Sequence, residues 1–203
     1  MEPSSPTTRR IFSVGHSNRP MASFLELLTR HCIEVVVDTR SAPYSKFATQ
    51  FNQAELKTSL QKAGWKYLFL GRELGGRPDR PEFYDDEGHV RYDRVAVSAP
   101  FQEGIERLER GISQYRVALL CSEEDPSGCH RRLLVGRVLQ RRGILVEHIR
   151  GDGELMREEA LAAREKLDPA YMQVSLFEAP KEPPWRSVRP VWPKHRPPGS
   201  PER

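Results

Sequence analysis

The apolar positions of the chain fall into short clusters divided by polar runs, and the clusters alternate between two periods. Ile11-Phe12-Ser13-Val14 is nearly continuous in apolar character and closes on Gly15, the pattern of a buried strand. Met21, Phe24, Leu25 and Leu28 recur at helical spacing after Pro20, which suits a first-turn position. Ile33 to Val37 is a β-branched run with Glu34 inside it, a second strand. Asn52, followed three residues later by Glu55, predicts a capped helix start with Leu56, Leu60 and Ala63 along one face. Tyr67 to Leu70 is a third strand. A polar stretch over residues 71–97 follows, long for a compact domain, which suggests a lid or binding loop. Phe101, Ile105, Leu108 and Ile112 predict a helix, and Val117 to Leu120 a fourth strand. Leu133, Leu134, Val138 and Leu139 mark a helix, Leu145 to Ile149 a fifth strand, and a short helix near Glu154–Lys166 closes the series.

Strands that alternate with helices pair in parallel through right-handed crossovers. The strands are apolar without a clear polar face, as strands covered on both sides must be. The expected fold is therefore α/β, a three-layer sandwich with a mainly parallel sheet of about five strands. The domain spans residues 10–172, between a disordered leader at 1–9 and a proline-rich basic tail at 178–203.

Composition changes this picture in one respect. The net charge of +4 and a pI near 9.1 invite a nucleic-acid partner. Yet the last 27 residues hold six Lys/Arg against three Asp/Glu, and eight of the 17 prolines fall after residue 176. The basic surplus thus belongs largely to the tail, where Trp185 and Trp192 are interleaved with bases in a way that suits stacking on single-stranded nucleic acid or simple solvation. No run of eighteen apolar residues is present and the first residues lack the apolar middle of a secretory signal, so a cytoplasmic protein with no membrane partner is expected. Three cysteines, an odd count, argue against a disulfide framework.

In an open parallel sheet, ligands bind beyond the carboxyl ends of the strands. Four predicted strand ends carry reactive side chains to that edge. The first brings His16, Ser17 and Asn18; the second Asp38, Arg40, Tyr44 and Ser45; the third Glu73; the fourth Cys121, Glu123, Cys129, His130 and Arg131. His16 is a candidate general acid or base, and Asp38 a group to orient it or to coordinate. Arg40 and Arg131 suit a phosphate. Cys129 precedes a predicted helix, where unpaired amides and the arginines lower a thiol pKa, so it is a candidate nucleophile beside Cys121. Packing as a small hydrophobe is the competing role for Cys121. A metal held by Cys121, Cys129, His130 and His16 matches no zinc spacing, so no metal and no other cofactor is assigned. His31 and Cys32 belong to the opposite edge, and His89 and His148 carry no signal.

These strand ends resemble the family called Domain of Unknown Function 488. The residues that carry the resemblance are Gly15-His16-Ser17, Asp38-Thr39-Arg40 with Pro43 and Ser45, Leu74-Gly75-Gly76, and Cys121-x-Glu123 with Cys129-His130-Arg131, together covering about residues 11–150. Thr39 stands where the family usually has Val. The resemblance implies the α/β fold and the site but supplies no reaction. A second resemblance concerns Gln173-Val174-Ser175-Leu176-Phe177, which is similar to the pentapeptide by which bacterial replication and repair proteins bind the DNA polymerase III β sliding clamp. Gln173 would fix the register while Leu176 and Phe177 enter an apolar pocket. A final strand or packing segment is the other use of these five residues. Taken together, these features lead to a DNA- or nucleotide-processing enzyme, hydrolytic or base-processing, recruited by the sliding clamp. The alternatives are a non-catalytic nucleic-acid-binding adaptor and a small-molecule or thiol enzyme unrelated to DNA.

Overall fold

A computed structural model describes residues 9–166 and 185–191. Within them a six-stranded sheet runs in the order β3-β2-β4-β1-β5-β6. Its strands are β1 (Arg10–Gly15), β2 (Val35–Asp38), β3 (Lys66–Phe69), β4 (Val117–Cys121), β5 (Leu145–Ile149) and β6 (Leu155–Arg157). The helices of the described residues are α1 (Met21–Arg30), α2 (Gln53–Lys62), α3 (Gly71–Leu74), α4 (Tyr92–Ala96), α5 (Ala99–Ile112), α6 (Arg137–Arg141) and α7 (Glu158–Lys166). A π-helical stretch, Arg131–Gly136, leads directly into α6.

The alternation of side chains along the strands builds two cores. Ile11, Val35, Val37, Val117 and Leu119 pack on one face with α5 and α6 residues such as Ile105, Leu108 and Leu139. Phe12, Val14, Val36, Ala118 and Leu120 pack on the other with Phe24 and Leu28 of α1 and Leu56 and Leu60 of α2. Because both faces are covered, the strands read as continuous apolar runs rather than alternating ones.

The sheet is mixed, which corrects the expectation of a mainly parallel sheet of about five strands. The first five strands pair in parallel, but β6 lies antiparallel to β5, with Ile149 opposite Leu155. Arg150 to Gly153 forms a tight turn, with Gly153 at φ 84° and its N–H donating to the Arg150 carbonyl. So short a connection permits only antiparallel pairing. Three residues of strand leave no readable period, which is why this segment looked like the start of the last helix.

The polar stretch over residues 71–97 is not a lid. Tyr84, Val90, Tyr92, Val95 and Ala96 are buried in the first core, and the segment contains α3 and α4. Part of the proline-rich tail holds it in place. The N–H of Ser187 donates to the Val90 carbonyl, the buried Ser187 Oγ accepts from the Val90 N–H at 3.0 Å, and Arg186 pairs with Asp85 and Glu87. Trp185 is anchored too. Its indole N–H donates to the Leu133 carbonyl at 2.6 Å, and Arg137 and Arg141 lie over its ring at 4.7 and 4.9 Å. This ring stacks on the protein's own guanidinium groups, so stacking on nucleic acid finds no support at Trp185.

The Asn52–Glu55 pair does mark the start of α2, but not through a cap. The Asn52 side chain turns away and accepts from the Ser45 N–H at 2.7 Å. No helix among the described residues is long and apolar enough to cross a membrane.

Candidate functional site

Strands β2, β4 and β1 are neighbours at the centre of the sheet, so their carboxyl ends bring the loops after residues 38, 121 and 15 together. Backbone bonds join these loops: the N–H of His16 donates to the Cys121 carbonyl, and that of Ser17 to the Ser122 carbonyl. Gly15 is required by this approach, since a Cβ there would lie 1.7 Å from the Glu123 carbonyl oxygen. Two side-chain networks occupy the junction.

The first is built on Asp38, which is wholly buried. Arg40 donates from Nε to Oδ1 at 2.8 Å and from Nη2 to Oδ2 at 2.7 Å, and its backbone N–H reaches Oδ1 at 3.1 Å. Tyr67 on β3 adds its hydroxyl to Oδ2 at 2.8 Å. The remaining arm of Arg40, Nη1, donates to His16 Nε2 at 2.9 Å, while His16 Nδ1 donates to the Ser17 carbonyl at 2.6 Å. His16 is therefore neutral, with its one lone pair occupied. Burial and the Arg40 guanidinium push its pKa down to about 4, and its ring stacks on Phe51 at 4.2 Å. The polar groups of this network satisfy one another.

The second network joins Cys121, at the tip of β4, to Cys129 and His130 at the head of the π-helical stretch. Their donor atoms all lie within 4.8 Å of one another. His130 Nδ1 is 3.8 Å from both sulfurs, and Nε2 donates to the Thr39 carbonyl at 3.0 Å. Gly76 seats the ring, since a Cβ there would come within 2.7 Å of it. The hydrogen bond from Cys129, opposed by burial, lowers the Cys121 thiol well below its ordinary pKa, and the His130 imidazole helps. Cys129 is pushed up by the Cys121 sulfur and by burial. The sequence expectation put the lowered pKa at Cys129; the two sulfurs instead share one ionisation, favoured at Cys121. A thiol that donates to a neighbouring thiolate holds its own proton more tightly, and this outweighs the lowering by Arg131. For His130, burial resists the charged form, but the Cys121 sulfur and the Thr39 carbonyl raise its pKa overall. These three residues are also the group placed to hold a metal. His16 is not in that group, because its Nε2 faces Arg40.

Residues 20–138, more than half of the chain, match the family described as Domain of unknown function DUF488. The chain belongs to the DUF488 family. No curated protein and no solved structure matches it. The family match contains the Asp38, Leu74-Gly75-Gly76, Cys121 and Cys129-His130 segments and begins after Gly15-His16-Ser17.

The other predicted site residues are placed less centrally. Arg131 is fully buried and works inside the protein: Nη1 donates to the Glu123 carbonyl, Nη2 to the Glu124 carbonyl at 2.7 Å, and Nε to Ser13 Oγ at 3.1 Å. Arg40 and Arg131 therefore meet protein acceptors rather than an open phosphate site. Ser45 organises its own turn, its Oγ accepting from the Phe47 and Ala48 N–H groups. Ser17, Asn18, Tyr44 and Glu123 are exposed, and Glu73 pairs with Arg107 on α5. Gln173, Leu176 and Phe177 lie outside the described residues.

Sequence reasoning missed Tyr67, and also the chain from the buried Ser13 and His148 to the half-buried Glu158. Ser13 Oγ is 2.6 Å from His148 Nδ1, and His148 Nε2 is 3.4 Å from Glu158. Each of these contacts depends on strand or helix pairing, and no local spacing reports it. The apolar cavity of about 210 Å³ beside α5, lined by Val37, Leu68, Leu108 and Val117, lies on the face of the sheet rather than at this edge.

Proposed function

We propose that this chain is an enzyme whose reacting centre is the sulfur–imidazole cluster of Cys121, Cys129 and His130. The observation that carries the reading is the convergence of three reactive donor atoms within 4.8 Å at the carboxyl edge of the parallel strands, where sheets of this kind take their ligands. The Asp38–Arg40–His16 network serves as its frame. It fixes the loop after β2, and with it the Thr39 carbonyl that orients His130. On this reading His16 and Asp38 are positioning residues. Hydrolysis or base processing is the reaction class.

The test is a screen of damaged, nicked and single-stranded DNA, free nucleotides and activated small esters. Turnover should disappear in Cys121→Ser, Cys129→Ser and His130→Gln. Turnover that survives all three replacements refutes the reading. Turnover confined to the esters would select thiol chemistry unrelated to DNA, and saturable DNA binding without turnover would select the adaptor.

Recruitment by the sliding clamp is a second proposal, carried by Gln173-Val174-Ser175-Leu176-Phe177. Clamp binding by the wild type should be lost in a Gln173/Leu176/Phe177 triple alanine variant. Equal binding by both, or none by either, removes the proposal.

A further inference from the structure

The geometry points to the Cys121–Cys129–His130 cluster as the binding site of one thiophilic divalent ion of the zinc class. This rests on the reading of the cluster as the reacting centre and names the cofactor it takes.

The distances carry the argument. A tetrahedral ion with metal–sulfur bonds of ~2.3 Å and metal–nitrogen bonds of ~2.0 Å holds nitrogen and sulfur roughly 3.5 Å apart and two sulfurs roughly 3.8 Å apart. His130 Nδ1 stands 3.8 Å from each sulfur, and all three donors fall within 4.8 Å. Equal and rather long contacts to two sulfurs do not describe a single good thiol–imidazole hydrogen bond, but they come within about 0.3 Å of two edges of a tetrahedral site. The outer contacts agree. Ligating histidines usually donate their other ring N–H to a carbonyl or carboxylate, which fixes the tautomer, and His130 Nε2 donates to the Thr39 carbonyl at 3.0 Å. Arg131 Nη1 lies 3.7 Å from Cys129 Sγ, as a donor to a metal-bound thiolate would.

Charge is balanced as well. Two thiolates and a neutral imidazole offset a divalent ion, so the loaded site is neutral, which suits burial. Binding releases to solvent whatever protons the two sulfurs and the ligating imidazole nitrogen still hold, and consumes no oxidant. Three protein ligands leave a fourth position for water or substrate, the arrangement of catalytic rather than structural zinc sites. The linear spacing concealed this because the ligands come from a strand tip and a helix start that meet only in the folded protein.

The test uses the full chain, reduced and stripped of metal, titrated with Co²⁺ and with Zn²⁺. One Co²⁺ per chain should bind, with thiolate-to-cobalt charge transfer and the visible bands of tetrahedral cobalt. Cys121→Ser, Cys129→Ser and His130→Gln should each weaken binding at least ~100-fold, more than loss of an outer-sphere partner does, and Cys32→Ser should not. Zn²⁺ should slow alkylation of Cys121 and Cys129 while leaving exposed Cys32 unchanged. Circular dichroism of each variant separates lost binding from lost folding. The inference is overturned by absence of charge transfer, by charge transfer that survives both cysteine replacements in folded protein, or by a Cys121–Cys129 disulfide as the only state protected from alkylation. Loss of turnover in Cys121→Ser together with absent metal binding would reject the ion and keep the reacting centre. Bound metal with turnover unchanged in all three variants would do the reverse.

Discussion

Two neighbouring networks at the carboxyl edge of the sheet are built on opposite principles. Around Asp38 the groups are hard and charged, and they satisfy one another: Arg40 gives three hydrogen bonds to the carboxylate and Tyr67 a fourth. Around Cys121 the groups are soft, and their mutual contacts are long, 3.8 Å from imidazole to each sulfur. Burial raises the cost of an unpaired charge steeply, so the first network is rigid and committed. Thiol and imidazole cost less to bury with weak partners, so the second can stand without such commitments. Chemically promising residue types are therefore a poor guide by themselves. In the proposed reading His16 and Arg40, which look catalytic, form a frame, whereas Cys121, readable as an ordinary packed residue, stands at the centre.

The largest expected effect tests the frame. Asp38→Ala should cost about 3–5 kcal/mol of stability in urea denaturation, because it leaves the Arg40 charge buried without its partner. Adding Arg40→Leu should recover part of the loss. If Asp38→Ala costs no more than a surface change, the contrast between the networks fails.

Acid should reveal the frame next. His16 has a folded pKa of about 4 against 6.5 unfolded, so the unfolded chain binds the extra proton between these values. Stability from this group is fully present above pH 6.5, falls as pH drops, and levels out below pH 4. The loss is about 3 kcal/mol at most. His16→Gln should flatten that part of the stability–pH profile, and an unchanged slope would show that His16 is not held neutral.

Gly76→Ala sharpens the comparison from the other side. Its Cβ would press on the His130 ring at 2.7 Å without entering the Asp38 network. A stability loss of about 1–3 kcal/mol is expected from overpacking, along with altered alkylation rates at Cys121 and Cys129. Unchanged rates would show that the ring position does not matter to the sulfurs.

The smallest stability effect belongs to the reactive pair. Cys121→Ser and Cys129→Ser should each cost only ~1 kcal/mol in thermal denaturation, far less than Asp38→Ala. Equal losses at the two networks would mean that the cysteines are structural.

Much of the fold was legible because its periods are local. The strands at residues 11–14, 117–120 and 145–149 and the helix carrying Ile105 and Leu108 all stand close to where the apolar pattern puts them. Boundaries and short elements were not legible. Strand β6 is three residues long, and Asn52 has the right type and spacing for a cap but bonds to Ser45 instead. The segment over residues 71–97 was mistaken for a lid because its buried residues, Tyr84, Val90 and Tyr92, are too widely spaced to show a period.

The sequence by itself determined the α/β class, the family through its strand-end motifs, and the sheet edge at which those strand ends meet. These follow from side-chain patterning and from the rule that parallel strands deliver their carboxyl ends to one side. Tertiary structure alone decided which strand-end residues are partners. Strand order β2-β4-β1 sets Arg40 against His16 and leaves Cys121 facing Cys129 and His130. A hydrogen bond or a ligand set depends on distances of a few ångströms between elements far apart in the chain. Only packing fixes those distances, and with them the division between the Asp38 and Cys121 networks.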